Sequence, residues 1–296
     1  MKQAGADEEP AFDPSTAPLT SPRVVAELLE RFGLRAEKGF GQHFLIAPSV
    51  VESVVEAAGV RPDDEVWEVG PGLGVLTRAL SARAREVVSV ELDARLLPIL
   101  RATLGGARNV TIVVADALTV DLGRVTPGSR FAANLPYNVG TAVLARLLAA
   151  GRFSRLGVLL QREVAERLVA APGSRAYGSL SLLVAHHGRA RLVRPVAPGA
   201  FVPPPAVTSA VVSIELYPEA VPDPRTFALV RAGFRHRRKT LLANLRLAGI
   251  DADAARSALA DVGLEARIRA EALDLPTFRA LAARLPALDV REGVHS

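Results

Sequence analysis

Four stretches of this 296-residue chain are patterned as buried strands: 65-EVWEVG-70, 86-EVVSVELD-93, 109-NVTIVVADAL-118 and 130-RFAANLPY-137. Helical patterns separate or follow them, at 74-GVLTRALSARA-84, 94-ARLLPILRATL-104 and 141-TAVLARLLAAG-151. Apolar runs that alternate with helices predict a mostly parallel sheet covered on both faces. A strand at 156–161, a helix at 162–170 and a strand at 209–216 extend the same unit. In such a sheet, ligands bind beyond the carboxyl ends of the strands. What stands at those ends is therefore the most informative part of the chain.

The flanks read differently. Residues 1–22 hold Asp7, Glu8, Glu9, Asp13 and several prolines with little apolar pattern, and are expected to be a disordered tail. They have neither the apolar core of a secretory signal nor the acid-poor composition of an organelle-targeting peptide. A helix is expected over 24–34, a glycine-rich loop at 38-KGFGQHFL-45, and a helix over 49–60 with Ser49 as N-cap and Glu52 closing a capping box. The proline-rich, acidic 217-YPEAVPDP-224 reads as a linker. Beyond it, helical patterns cover 226–249, 253–263 and 274–285. The predicted organisation is a tail at 1–22, an α/β domain at 23–218 and a helical domain at 219–296. A helical unit of roughly 65 residues is marginal alone and should lean on the first domain.

Composition narrows the function classes. The chain has no cysteine, which excludes disulfides and thiolate metal sites and fits a reducing cytoplasm. Its five histidines have no metal-ligand spacing, so no metal is expected. No long uncharged apolar run suggests a membrane span. The net charge of +5 rests almost wholly on arginine, with lysine only at 2, 38 and 239. Arginine recognises phosphate in a bidentate way and stacks on bases, although an arginine bias also arises from genomic composition alone.

The first strand runs into Gly70, Gly72 and Gly74, where the backbone can turn tightly against a ligand. This Gly-x-Gly-x-Gly spacing departs from the dinucleotide fingerprint and on its own is a weak signal, because glycines are common at plain strand-to-helix turns. Glu91 ends the second strand about twenty residues after Gly70, the separation at which an acid grips a ribose hydroxyl pair. Asp116, followed by Ala117, ends the third strand and can accept from the amino group of an adenine. Each acid alone could be a solvated strand end; in series they describe an adenosine-containing cofactor. The fourth strand ends in 134-NLPY-137. The Asn134 oxygen and a carbonyl of Leu135 or Pro136 can accept the two N–H bonds of an aromatic amine. Pro136 stiffens that turn, and Tyr137 can stack on a base. Acceptors so arranged stabilise positive charge on an attacking nitrogen, with the sign opposite to an oxyanion hole.

The chain resembles the adenine N6-methyltransferases that use S-adenosylmethionine. More closely it resembles the KsgA (RsmA) family of small-subunit ribosomal RNA adenine N6-dimethyltransferases. The resemblance rests on 41-GQHFL-45, 68-EVGPGLGVLT-77, 89-SVELD-93, 115-ADAL-118, 134-NLPYNV-139, 161-QREVAERLVAAPGSRAYGSLS-181, 201-FVPPPAVTSAVV-212 and 234-FRHRRKTLLANL-245. It implies a Rossmann-like methyltransferase sheet with helices on both faces and a small C-terminal helical domain. It also implies S-adenosylmethionine as cofactor, with Gln42, His43, Leu45, Gly70, Gly72, Glu91, Asp116, Ala117 and Asn134 along it. Asn134, Leu135, Pro136 and Tyr137 would handle the target adenine, and Phe201 would stack on its other face. A base must leave its stack before such chemistry, and stacking contributes about 1–3 kcal/mol per base.

The implied partner is small-subunit rRNA in an assembling particle, where two adjacent adenines of the 3′-terminal hairpin loop are dimethylated by a monomer. Arg235, Arg237, Arg238 and Lys239 would contact phosphate; they cannot share one helix face, so a curved contact or a helix end is expected. Arg152, Arg155 and Arg162 could extend that surface. Three departures from the family pattern stand out. His43 occupies a position where asparagine is frequent, Trp67 one usually aliphatic, and Thr141-Ala142 one where Ser-Thr-Pro is frequent. Competing readings are a large-subunit resistance methyltransferase, which tends to carry Asn-Ile-Pro-Tyr, a non-catalytic assembly factor, and a nicotinamide dehydrogenase.

Overall fold

The computed structural model describes residues 12–35, 42–218 and 220–288. After α1 (Pro22–Arg31), β1 (Phe44–Leu45) and α2 (Pro48–Ala58), strands and helices alternate: β2 (Glu65–Val69), α3 (Val75–Ser81), β3 (Glu86–Glu91), α4 (Leu97–Leu104), β4 (Val110–Val114), β5 (Ser129–Asn134), α5 (Gly140–Ala150), β6 (Phe153–Gln161) and α6 (Arg162–Leu168). Then come α7 (Ser179–His187), β7 (Gly188–Val196), β8 (Phe201–Val202) and β9 (Ser209–Leu216). The helices α8 (Pro224–Phe234), α9 (Leu241–Leu247), α10 (Ala252–Asp261) and α11 (Leu275–Arg284) complete the described chain. None of the described helices is long and apolar enough to cross a membrane.

The seven-stranded sheet has the order β4-β3-β2-β5-β6-β9-β7. The first five strands are parallel, while β9 pairs antiparallel with β6 and β7 antiparallel with β9. The chain builds outward from β2 to β4, then returns to place β5 on the other side of β2. That reversal opens a crevice at the carboxyl ends of β2 and β5.

The two sheet faces explain the near-continuous apolar strands. Val66 joins Val54, Val55, Leu76 and Leu80 beneath α2 and α3, while its neighbour Trp67 packs with Phe131, Leu144 and Leu148 beneath α5. Adjacent strand residues point to opposite faces, so both must be apolar. Trp67 is buried, and its indole N–H donates to Glu65 Oε1 at 2.7 Å, which satisfies the ring's polar group.

Several local expectations are corrected. Residues 12–22 are not a loose tail: Ala17 and Leu19 are buried against Val24 and Leu28. The Arg78 guanidinium donates to the carbonyls of Pro14 and Ala17. A guanidinium some sixty residues away is invisible to a compositional reading of this segment; residues 1–11 of that reading lie outside the described residues. Ser49 is not an N-cap, because α2 begins at Pro48 with Ala47 preceding it and no side-chain cap; proline fits the first helical position. The helix expected over 226–249 is two, α8 and α9, broken at residues 235–240. Thr240 caps α9 by accepting from Ala243 N–H, and buried Asn244 donates to the carbonyls of Gly233 and His236, which holds the break.

The sheet is also more mixed than expected, since α7 and β7 carry no clear sequence pattern. Strand β7 is an edge with Arg189, Arg191 and Arg194, and charge on an edge strand discourages pairing with other chains. The C-terminal helices share a core with the preceding unit: Tyr177 and Leu182 pack with Leu245, Phe278 and Leu281. Tyr177 Oη donates to the Leu273 carbonyl at 2.8 Å, and Gly173 N–H to that of Glu271 at 2.7 Å.

Candidate active site

One cavity opens at the crevice and touches the ends of β2 through β5. Among the expected cofactor residues, Gln42, His43, Leu45, Gly70, Gly72, Glu91, Asp116, Ala117 and Asn134 all line it, as do Leu135, Pro136 and Tyr137. Residues distant in sequence converge there because the parallel strands end at one level.

The glycine turn is shaped for close approach. Gly70, Gly72 and Gly74 have φ of 70°, 59° and 88°, a region that disfavours side chains. A Cβ on Gly72 would lie 3.2 Å from the Phe44 ring, and one on Gly74 3.1 Å from the Thr103 hydroxyl. Glu91 is buried, and its Oε1 accepts from Asp93 N–H at 2.8 Å. Burial pushes its carboxyl up, while N–H groups of Asp93, Gly72 and Leu92 work against that. Asp93 accepts from Gln42 Nε2 at 3.0 Å and pairs with Arg95, which holds its carboxyl below the usual range.

At the next strand tip, Asp116 Oδ1 accepts from Leu118 N–H at 2.8 Å. Arg146 of α5 braces this loop by donating to the carbonyls of Ala117 and Val120. Carboxylates at two strand tips, a glycine cradle without room for side chains and the apolar Leu92 and Leu118 beside the acids fit an adenosine-containing cofactor.

The fourth strand tip is rigid. Leu135 N–H donates to the Leu159 carbonyl at 2.9 Å, and the Pro136 carbonyl accepts from Gly140 N–H at 2.8 Å and Val139 N–H at 3.3 Å. The Pro136 carbonyl is therefore engaged by the start of α5. Asn134 Nδ2 donates to the His43 carbonyl at 3.2 Å. Tyr137 shares a 2.5 Å hydrogen bond with Ser209 Oγ, and its ring stacks on His43 with centroids 5.6 Å apart and 28° between planes. The His43 Nδ1 is 2.8 Å from the Pro203 carbonyl.

Phe201 departs from expectation. It does not line the cavity: at 2% exposure it is packed with Leu45, Val50, Val196 and Val211, paired opposite Leu45 between β8 and β1. The ring facing Tyr137 is His43, which directly precedes β1 and lies 2.8 Å from the Pro203 carbonyl just beyond β8.

Sequence reasoning gave no role to Glu68, which also lines the cavity. It is fully buried, accepts from the Thr77 and Ser89 hydroxyls at 2.7 Å each, and burial pushes its carboxyl up to about 7. An acid inside an apolar strand two residues before the glycine turn was the available signal. Leu19 and Val25 were missed as well, and no motif marks them.

The basic run lies apart from the cavity. Arg235, Arg237, Arg238 and Lys239 are all exposed at the α8–α9 break. Arg237 has a second task, since it donates to the carbonyls of Arg175 and Tyr177 at 2.8 and 3.1 Å. Arg155 and Arg162 pair with Glu215 and Glu166.

A mixed sheet with its cavity at the strand-order reversal of its parallel part, a glycine turn, carboxylates on the next two strand tips and Asn134 on the fourth define a methyltransferase that uses S-adenosylmethionine. The chain belongs to the ribosomal RNA adenine dimethylase family, whose model matches residues 33–275. It is 43% identical over 278 residues to "Ribosomal RNA small subunit methyltransferase A" of Deinococcus radiodurans, covering 94% of this chain and 95% of that one. The protein of the same name from Magnetococcus marinus is 42% identical, with 86% and 94% covered. A dimethyladenosine transferase from Plasmodium falciparum shares the fold, with a TM-score of 0.68 at 22% identity over 81% of this chain and 98% of that one. The 23S rRNA methyltransferase ErmE superposes with a TM-score of 0.64 at 27% identity over the same shares.

Proposed function

We propose that this protein dimethylates N6 of two adjacent adenines in the 3′-terminal hairpin loop of small-subunit rRNA, as a cytoplasmic monomer acting on an assembling particle. The observation that carries the chemistry is the braced Asn134-Leu135-Pro136 turn beside the cofactor cavity. S-adenosylmethionine, when bound, supplies an electrophilic methyl group. Glu91 would accept from the ribose hydroxyls and Asp116 from the adenine amino group, with Gln42, Leu45, Gly70, Gly72 and Ala117 forming the remaining walls.

The substrate amine is a poor nucleophile because its lone pair is delocalised into the purine. Asn134 Oδ1 accepts one N–H and the Leu135 carbonyl the other, which favours a pyramidal nitrogen and stabilises its developing positive charge. Tyr137 provides the stacking platform, its ring held by Ser209 and His43. No general base is needed before attack, since the proton can leave afterwards to water. Phe201 supports the wall from behind.

Relatives named for the small subunit at 36–43% identity favour that substrate over the 23S RNA named for ErmE at 27%. The test supplies isotope-labelled S-adenosylmethionine with unmethylated small and large subunits in parallel, followed by digestion and detection of N6,N6-dimethyladenosine. Label in the small subunit alone is expected; label in the large subunit alone would overturn the assignment. Asn134→Ala should abolish turnover and leave cofactor affinity within a few-fold. A collapse of cofactor binding would show that Asn134 serves the cofactor rather than the amine.

A further inference from the structure

The segment before α1 lies outside the stretch matched by the family model, yet Leu19 lines the cofactor cavity. Leu19 is 4% exposed and packs with Ala17, Val24 and Leu28, with Val75 beside them. Val75 is the first residue of α3, immediately after the glycine turn. One helical turn later, Arg78 donates to the Ala17 carbonyl at 2.7 Å and the Pro14 carbonyl at 3.0 Å. The helix that springs from the cofactor turn thus grips the segment twice, once by apolar contact and once by a guanidinium.

The grip extends to the turn itself. Arg78 also donates to the Thr103 carbonyl at 2.9 Å, and the Thr103 hydroxyl donates to the Leu73 carbonyl at 3.0 Å, inside the glycine turn. One planar, multi-donor side chain therefore joins three pieces of irregular or helix-end backbone. Residues 12–21 form no strand or helix, so little else in regular secondary structure ties them down. Segments held by few contacts open at low free-energy cost.

We propose that residues 12–21 are a working part of the cofactor site: Leu19 roofs the cavity over the glycine turn, and Arg78 is the positioning residue that holds the roof in place. This rests on the reading of the cavity as the S-adenosylmethionine site. A closed apolar roof shields a bound sulfonium cofactor from water and slows its escape. By linkage, the cofactor must in turn stabilise the closed segment.

The test measures S-adenosylmethionine and S-adenosylhomocysteine binding by calorimetry on the full chain and on Leu19→Ala, Arg78→Ala and Arg78→Lys. Arg78→Ala is expected to weaken both ligands about tenfold or more and Leu19→Ala about three- to fivefold. Arg78→Lys should fall between wild type and Arg78→Ala, because one ammonium cannot span three carbonyls. KM for the ribosomal substrate should stay unchanged. Limited proteolysis should cut the wild type within 12–21 more slowly when cofactor is present, and that protection should vanish in Arg78→Ala. If Arg78→Ala does not fold, Leu19→Ala and Arg78→Lys carry the same expectations. Affinities within twofold of wild type in these variants, with only the melting temperature lowered, would reduce the segment to a structural brace and overturn the roof. Absence of cofactor binding in the wild type would overturn the reading of the cavity, and the roof with it.

Discussion

Glu68 is held in the interior of β2 by the hydroxyl donors of Thr77 and Ser89, with the carboxyl of Glu91 nearby. Burial penalises its charged form, so its folded-state carboxyl is raised to about 7 from an ordinary value of 4.5. The folded protein therefore binds this proton more tightly than the unfolded chain does. By linkage, the contribution to stability is full below about pH 4.5, and is lost as pH rises through about 7. Thermal melts of the cofactor-free protein between pH 5 and 8 should show this decline, and Glu68→Gln should remove it. A positively charged cofactor in the same cavity favours the carboxylate, so its affinity should rise over the same interval in the wild type and flatten in the variant. A wild-type affinity independent of pH would show that Glu68 does not sense the cofactor's charge.

Among the elements, the seating of α2 on β6 is the tightest test of packing. Gly157 lies in the middle of β6, where a Cβ would stand 2.4 Å from both Ala58 N and Val54 O, backbone atoms of α2. The helix can only sit this low on the sheet because the strand has no side chain there. Backbone cannot yield as a side-chain tip can, so Gly157→Ala should destabilise the fold by about 3 kcal/mol, the upper range for overpacking. Denaturant unfolding would measure it, and a destabilisation under about 0.5 kcal/mol would mean that α2 shifts freely. The same layer seats β1, whose pairing with β8 brings His43 to Tyr137 and buries Phe201. A two-residue strand pairing across more than 150 residues of chain thus decides which ring faces the base platform.

Across the whole molecule, the C-terminal helices do more than carry charge. Their core closes over Tyr177 and Leu182, and Arg237 ties the α8–α9 break to the carbonyls of Arg175 and Tyr177. The basic run is thereby fixed relative to the segment that follows α6. Substituting Arg237 would confuse weaker RNA binding with a loosened interface. Arg235, Arg238 and Lys239 are the cleaner probes. Neutralising all three should weaken RNA binding and reduce the slope of log affinity against log salt by about 0.7 to 0.9 for each phosphate no longer neutralised. An unchanged slope in filter-binding titrations would remove these residues from the RNA surface.

The sequence by itself determined the alternation of strands and helices, the ligand end of the sheet and the polar residues at the four strand tips that line the cavity. These are local signals: apolar periodicity, glycine at turns, and acids or amides at strand ends. It also carried the resemblance that family membership bears out. Only the tertiary structure decided that the Pro136 carbonyl is already occupied, that Phe201 is buried, that burial raises the Glu68 carboxyl, and that residues 12–21 are fastened by Arg78. Each of these depends on groups that are brought together only when the chain packs. A residue type announces what a side chain can do, but burial, hydrogen-bond saturation and the closure of a cavity belong to pairs and groups assembled by packing.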